Sequence, residues 1–308
     1  MKSPELPDGR IRLGTAGLTL ELDPRDGGKV TRLRCERHGR EWLHGPPDVE
    51  AAGAPDDYDA SRSWGWDELF PTVLTTTGAP SPWPSVLRDH GELWGRPWLV
   101  EEVAPRSATL RFADPGGRFG FVRALVVDGP TVLARYELRN LLSRPLPFLW
   151  AMHPIFSVEP GDRLELPDVR SVAATHLRPQ RLPAVGSRLD WPVADVDGAA
   201  VRLDRIAPVD GETAIKVFAG PPHPPVARLI GRPCGLEIRP QLPFVGIYVN
   251  RGGWPRSGSD LHQVGIEPTT SPADDLTGAV AARTHRVLGA GGVASWHVHM
   301  ELIHPSGG

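Results

Sequence analysis

Val132-Leu133-Ala134-Arg135-Tyr136-Glu137-Leu138-Arg139 sets apolar side chains at its even positions and mostly polar ones at its odd positions. A period of two belongs to a strand with one face buried and the other wet. The same beat returns in Ala214-Ile215-Lys216-Val217-Phe218, in Leu236-Glu237-Ile238-Arg239 and in Trp296-His297-Val298-His299-Met300-Glu301-Leu302. Turn chemistry stands between such runs, as Pro115-Gly116-Gly117 and as Asp128-Gly129-Pro130 before the strand that opens at Val132. The chain reads as all-β, a large antiparallel assembly of roughly 15 or more strands.

Working outward, 34 glycines and 34 prolines in 308 residues punctuate short apolar runs, as in proteins built from many strands. Very little helix is predicted. One follows Ser271, with Pro272 in its first turn and Asp274 and Asp275 near its positive end, and it runs to about Ala282. Asp48–Ser63 reads as a long surface loop, and Pro221-Pro222-His223-Pro224-Pro225 as a stiff connector. No repeat or low-complexity linker divides the chain, so one domain over residues 1–308 is expected.

A net charge of −3 leaves no basic footprint for nucleic acid or an anionic membrane. No stretch approaches the roughly 18 apolar residues of a membrane span, and Met1–Pro7 lacks the apolar run of a secretory signal. A cytoplasmic protein, monomeric or homodimeric, is expected. Cys35 and Cys234 alone make neither a disulfide scaffold nor a CxxC zinc site. His297 and His299 share a strand face at metal-ligand spacing, but Trp296, Val298, Met300 and Leu302 opposite them read as core, which puts the pair on a wet outer face. His38, His44, His176, His223 and His262 sit in polar or Pro-rich stretches and read as surface residues.

Three short segments combine titratable groups with Gly or Pro: Asp89-His90-Gly91-Glu92, Met152-His153-Pro154-Ile155-Phe156 and Gly265-Ile266-Glu267-Pro268-Thr269-Thr270. They read as sharp turns at strand ends, where a rigid backbone can aim a polar side chain into a concave face. In order and context they resemble the aldose 1-epimerase, or galactose mutarotase-like, family. Gly27-Gly28-Lys29-Val30-Thr31-Arg32-Leu33 resembles its early glycine-containing hairpin. Trp64-Gly65-Trp66-Asp67-Glu68-Leu69-Phe70-Pro71 resembles the loop before its first histidine in divergent members. Leu242–Asn250 resembles the strand before its glutamate, and Val287-Leu288-Gly289-Ala290-Gly291-Gly292 its closing element.

The resemblance implies a β-supersandwich whose concave face binds an aldohexose, free or phosphorylated, and interconverts its α and β anomers. Glu267 matches the general base, His153 the general acid and His90 a second histidine near the ring oxygen. A carboxylate (reference pKa about 4.3) and an imidazole (about 6.5) suit a proton exchange near neutrality, and no metal or redox cofactor is required. Trp66, Trp94 and Phe156 are candidate platforms for the sugar, with Arg62, Asp67, Glu68, Gln241 and Asn250 as polar contacts. The sequence departs from the family where His153-Pro154-Ile155-Phe156-Ser157 lacks its aromatic pair and asparagine. Trp94 also stands where phosphate-specific members carry an arginine, with Arg96 two residues on, and the substrate-binding aspartate of galactose mutarotases has no evident match. A hexose-6-phosphate 1-epimerase and a non-catalytic carbohydrate-binding protein are the alternative readings.

Overall fold

The computed structural model describes residues 4–48, 57–180, 182, 184–221 and 223–303. Its secondary structure is almost entirely antiparallel strand, 25 of them among the described residues, with one α-helix, Leu276–Ala281, and one turn of 3-10 helix, Ala60–Arg62. The alternating stretch lies in the strand Thr131–Asn140, whose burial alternates along its length. It pairs with Phe119–Asp128 on one side and Val293–Ile303 on the other. Asp128-Gly129-Pro130 turns the first of these hairpins, with Gly129 at a positive φ of 54°.

Two large sheets carry the fold. An eight-stranded sheet runs, in spatial order, Arg163–Glu165, Ala227–Ile230, Gly235–Pro240, Val293–Ile303, Thr131–Asn140, Phe119–Asp128, Ser107–Ala113 and Leu99–Ala104. An eleven-stranded sheet runs Ile11–Gly14, Leu18–Asp23, Lys29–Cys35, Trp66–Leu69, Ala151–Ser157, His262–Thr269, Phe244–Arg251, Thr213–Ala219, Ser171–Arg178 and Ser187–Asp190, with Arg40–Glu41 paired beside Lys29–Cys35. The apolar faces of both sheets supply one contiguous core. Tyr136 and Trp296 from the smaller sheet meet Trp150 there, with ring centroids 4.6 and 5.1 Å from it.

Charge also crosses this core. Arg123 and Glu68, both fully buried, pair at 3.1 Å between the strands Phe119–Asp128 and Trp66–Leu69. Glu68 Oε1 further accepts from Tyr136 at 3.1 Å and from Trp66 Nε1 at 3.0 Å. Burial pushes the Glu68 carboxyl up to about 7, against the pull of Arg123.

Four expectations change. His153-Pro154 and Glu267-Pro268 lie inside the strands Ala151–Ser157 and His262–Thr269, not at turns. The pairing between these strands skips Met152–Pro154, since a proline has no N–H to give a ladder. The helix starts later than predicted, because Asp275 serves as its N-cap, accepting from Gly278 N at 2.7 Å. Residues 49–56 of the predicted surface loop, residue 222 of the connector and Met1–Ser3 lie outside the described residues. The rest of that loop folds inward, with Tyr58 buried.

Candidate active site

Strand register assembles the site. The pairings Ala151↔Thr269 and Ile155↔Gly265 bracket His153 and Glu267, which therefore stand opposite one another on neighbouring strands. His153 pairs with Asp67 on its other side, and the Val30↔Trp66 pairing brings Lys29 beside Asp67. Glu267 pairs with Gly246 in turn. Lys29, Asp67, His153 and Glu267 thus form one row across four adjacent strands of the larger sheet. Lys216 comes from Thr213–Ala219, the next strand but one from that of Glu267, one pleat along and paired with Tyr248.

Glu267 is almost fully buried, and its two oxygens have different surroundings. Oε2 is hydrogen-bonded by Lys216 Nζ. Oε1 has no hydrogen-bond partner and faces His153 Nε2 at 3.9 Å. Gly265 makes room for that oxygen, since a Cβ there would stand 2.8 Å from it. Lys216 Nζ also lies 4.0 Å from Asp274, whose backbone oxygen accepts from Val73 and Leu74.

His90 comes from a turn, not a strand. Its backbone takes φ of 61°, unusual for a residue with a side chain, and its N–H donates to Val73 O at 2.8 Å. The next residue has to be glycine, because a Cβ at Gly91 would fall 2.0 Å from Phe70 O. The His90 ring, bonded to Asp89 at 3.0 Å, stacks on Tyr58 with centroids 3.6 Å apart and planes 3° apart. It meets the His153 ring edge-on at 5.0 Å.

The far side of His153 is equally ordered. Its Nδ1 lies 3.3 Å from the Tyr58 hydroxyl, which lies 3.3 Å from Asp67 Oδ2. Lys29 Nζ donates to the same Asp67 oxygen at 2.7 Å and to the carbonyls of Trp64 and Arg62. Burial, followed by the neighbouring His90, Lys216 and Lys29, holds the His153 imidazole well below its usual 6.5. Burial raises the Asp67 carboxyl above the usual carboxylate range despite Lys29, and raises the Tyr58 hydroxyl, with Asp67 adding to it.

Above these groups lies a cavity of about 280 Å³, lined by Tyr58, His90, His153, Lys216 and Glu267 together with Tyr248, Trp254, His176, Asp89 and Asp274 among others. A pocket this small, with convergent titratable groups on its floor, suits acid–base chemistry on a small polar molecule.

Among solved structures, a galactose mutarotase-related enzyme from Lactobacillus acidophilus is similar at TM-score 0.70 and 14% identity, over 95% of this chain and 97% of that one. A galactose mutarotase-like protein from Lactobacillus casei is similar at TM-score 0.68 and 15% identity, over 96% of this chain and 100% of that one. A protein from Synechocystis is similar at TM-score 0.70 and 16% identity, over 99% and 98% of the two chains. The fold is galactose mutarotase-like. No protein-family model matches the sequence, and no curated protein matches it.

On this galactose mutarotase-like frame His90, His153 and Glu267 converge on one cavity, while most of the predicted sugar contacts point elsewhere. Alternation along Trp66–Leu69 turns Asp67 toward the site but Trp66 and Glu68 into the core, where they bond each other. Asp67 itself lies behind Tyr58 and is held by Lys29. Phe156 is core. Gln241 sits in a shallow groove with Trp296 and His297 on the other sheet. Asn250 closes a turn, accepting from Gly252 and Trp254. Trp94 props the His90 turn through Asp89 O at 2.9 Å, with its ring edge-on to Tyr58 at 5.1 Å. Arg62 faces Asp26 at 3.5 Å, and Arg96 pairs with Glu92 at 3.1 Å.

The site gains residues that the sequence had hidden. Tyr58 lies in what read as a surface loop, Lys216 in a strand whose alternation read as half wet, and Tyr248 in a strand read only by its resemblance to the one before the glutamate. His176, expected at the surface, lines the cavity. His297 is exposed and His299 half-buried, beside the buried Trp296.

Proposed function

We propose that the protein is an aldose 1-epimerase that interconverts the α and β anomers of an unphosphorylated aldose. The observation that carries this reading is the unpartnered Glu267 Oε1 facing His153 Nε2 at 3.9 Å across the cavity floor. Glu267 Oε1 takes the proton of the C1 hydroxyl. His153 Nε2 delivers one to the ring oxygen, and the pyranose opens. Rotation about C1–C2 and the reverse exchange close the other anomer. The two sugar oxygens share one carbon, so the gain comes from holding acid and base at one locus. Lys216 holds Glu267 Oε2, which leaves Oε1 as the free oxygen for the sugar. In this reading His90, bonded to Asp89, hydrogen-bonds the sugar near its ring oxygen.

The charge around the cavity supports a neutral sugar. Lys216 is the one lysine or arginine among the described lining residues, it is engaged by Glu267 with Asp274 4.0 Å away, and Asp89 lines the same cavity. A phosphate monoester would meet more negative than positive charge there. Exchange NMR on free aldoses and their 6-phosphates tests the reading: catalysed exchange of a free aldose is expected, with Glu267→Gln slower by roughly 10²–10⁴. Full activity in that variant removes Glu267 as base. Sugar binding without any acceleration over the uncatalysed rate leaves a carbohydrate-binding protein instead.

A further inference from the structure

One hydroxyl proton stands between two acceptors at equal distance. Tyr58 OH is 3.3 Å from His153 Nδ1 and 3.3 Å from Asp67 Oδ2, and all three residues are buried. A phenol has a single proton to donate. If it goes to Asp67, His153 must carry its own proton on Nδ1 and show the cavity a bare Nε2. If it goes to His153, the imidazole presents Nε2–H to the cavity. Only the second arrangement lets a neutral His153 act as an acid.

We infer that Tyr58 and Asp67 are positioning residues that set the His153 tautomer and return a proton to its far nitrogen as it protonates the sugar. The inference rests on the aldose 1-epimerase reading above. In the ring-opening step the Nε2 proton passes to the ring oxygen, the Tyr58 proton passes to Nδ1, and an Asp67 carboxyl proton passes to the Tyr58 oxygen. Glu267 meanwhile gains the C1 hydroxyl proton. One carboxyl is neutralised and another ionised, so the net charge of the buried site is unchanged. His153 ends neutral with its proton on Nδ1, and ring closure runs the chain backwards.

The surroundings favour such a chain. The groups facing His153 are Glu267 and Lys216 from one side, His90 from the turn, and Tyr58, Asp67 and Lys29 from behind. Burial, then the neighbouring His90, Lys216 and Lys29, oppose an imidazolium, which leaves the neutral ring as the form that must work. Lys29, with its N–H groups taken by Asp67, Trp64 and Arg62, already holds the carboxyl on which the chain would leave its negative charge.

Tyr58→Phe keeps the ring stacked on His90 and deletes only the hydroxyl. Its kcat is expected to fall roughly 10²-fold at neutral pH with KM little changed. The loss should deepen about tenfold per pH unit above the His153 titration, because that variant can use only the imidazolium. ¹⁵N NMR of the protein without sugar is expected to show the Nε2–H tautomer in the native chain and Nδ1–H or a mixture in Tyr58→Phe. Asp67→Asn, whose amide can still donate to Tyr58 but has no proton to pass on, should keep the tautomer and lose rate. A Tyr58→Phe loss that is the same at every pH, or an identical tautomer in both proteins, overturns the inference. If the native chain accelerates no aldose, the epimerase reading fails, and the NMR result still decides the tautomer.

Discussion

At the scale of single residues, His153 is the most instructive case. The Met152–Phe156 segment singled it out and it does line the cavity, but its electrostatic state was not legible, because burial, His90, Lys216 and Lys29 come from elsewhere in the chain. A histidine whose native value is depressed binds fewer protons folded than unfolded. Its contribution to stability is therefore intact above the unfolded value of about 6.5 and is lost as pH falls from there toward the native value. The melting temperature of the native chain should drop more between pH 7 and pH 5 than that of His153→Gln. Parallel curves for the two proteins would show that His153 does not titrate on unfolding. Tyr58 was illegible for a different reason: no periodicity marks a loop residue that folds inward onto a ring 32 positions downstream.

Among the elements, alternation and turn chemistry revealed the strands, including Thr131–Asn140 and its hairpin partner. They did not reveal what the polar face of a strand looks onto. A period of two separates two faces, but open solvent and a water-filled cavity look alike to it. Lys216 accordingly read as a wet-face residue and proves to be buried against Glu267. Prolines beside His153 and Glu267 suggested turns, yet the sheet absorbs both where the ladder lapses. Gly265 is the small residue on which this part of the sheet depends. Gly265→Ala would push its Cβ against Glu267 Oε1, a movable side-chain end, so the carboxylate should swing aside and the fold survive. Catalysed anomer exchange is expected to fall at least tenfold for about 1–3 kcal/mol of stability, read by urea unfolding. Native activity in that variant would show that the oxygen tolerates displacement.

For the whole molecule, composition and patterning announced an all-β antiparallel chain of half-buried strands, and the strands packed on one core bear this out. The Arg123–Glu68 pair inside that core was not announced, since Glu68 read as a sugar contact and Arg123 carried no reading of its own. Removing one member should be costly: Arg123→Met leaves Glu68 without its cation and is expected to lose about 3–5 kcal/mol in urea unfolding. Arg123→Met combined with Glu68→Gln should regain much of that loss, because no buried charge is stranded. A double variant no more stable than the single would place the cost in packing instead.

The row that runs from Lys29 through Asp67 and His153 to Glu267 has a kinetic corollary. Its members are scattered from one end of the polypeptide to the other, and only correct pairing of distant strands makes them neighbours. Topologies dominated by such remote contacts form slowly. During refolding, turnover should reappear only with the last of the native fluorescence signal, and no early collapsed species should carry any of it.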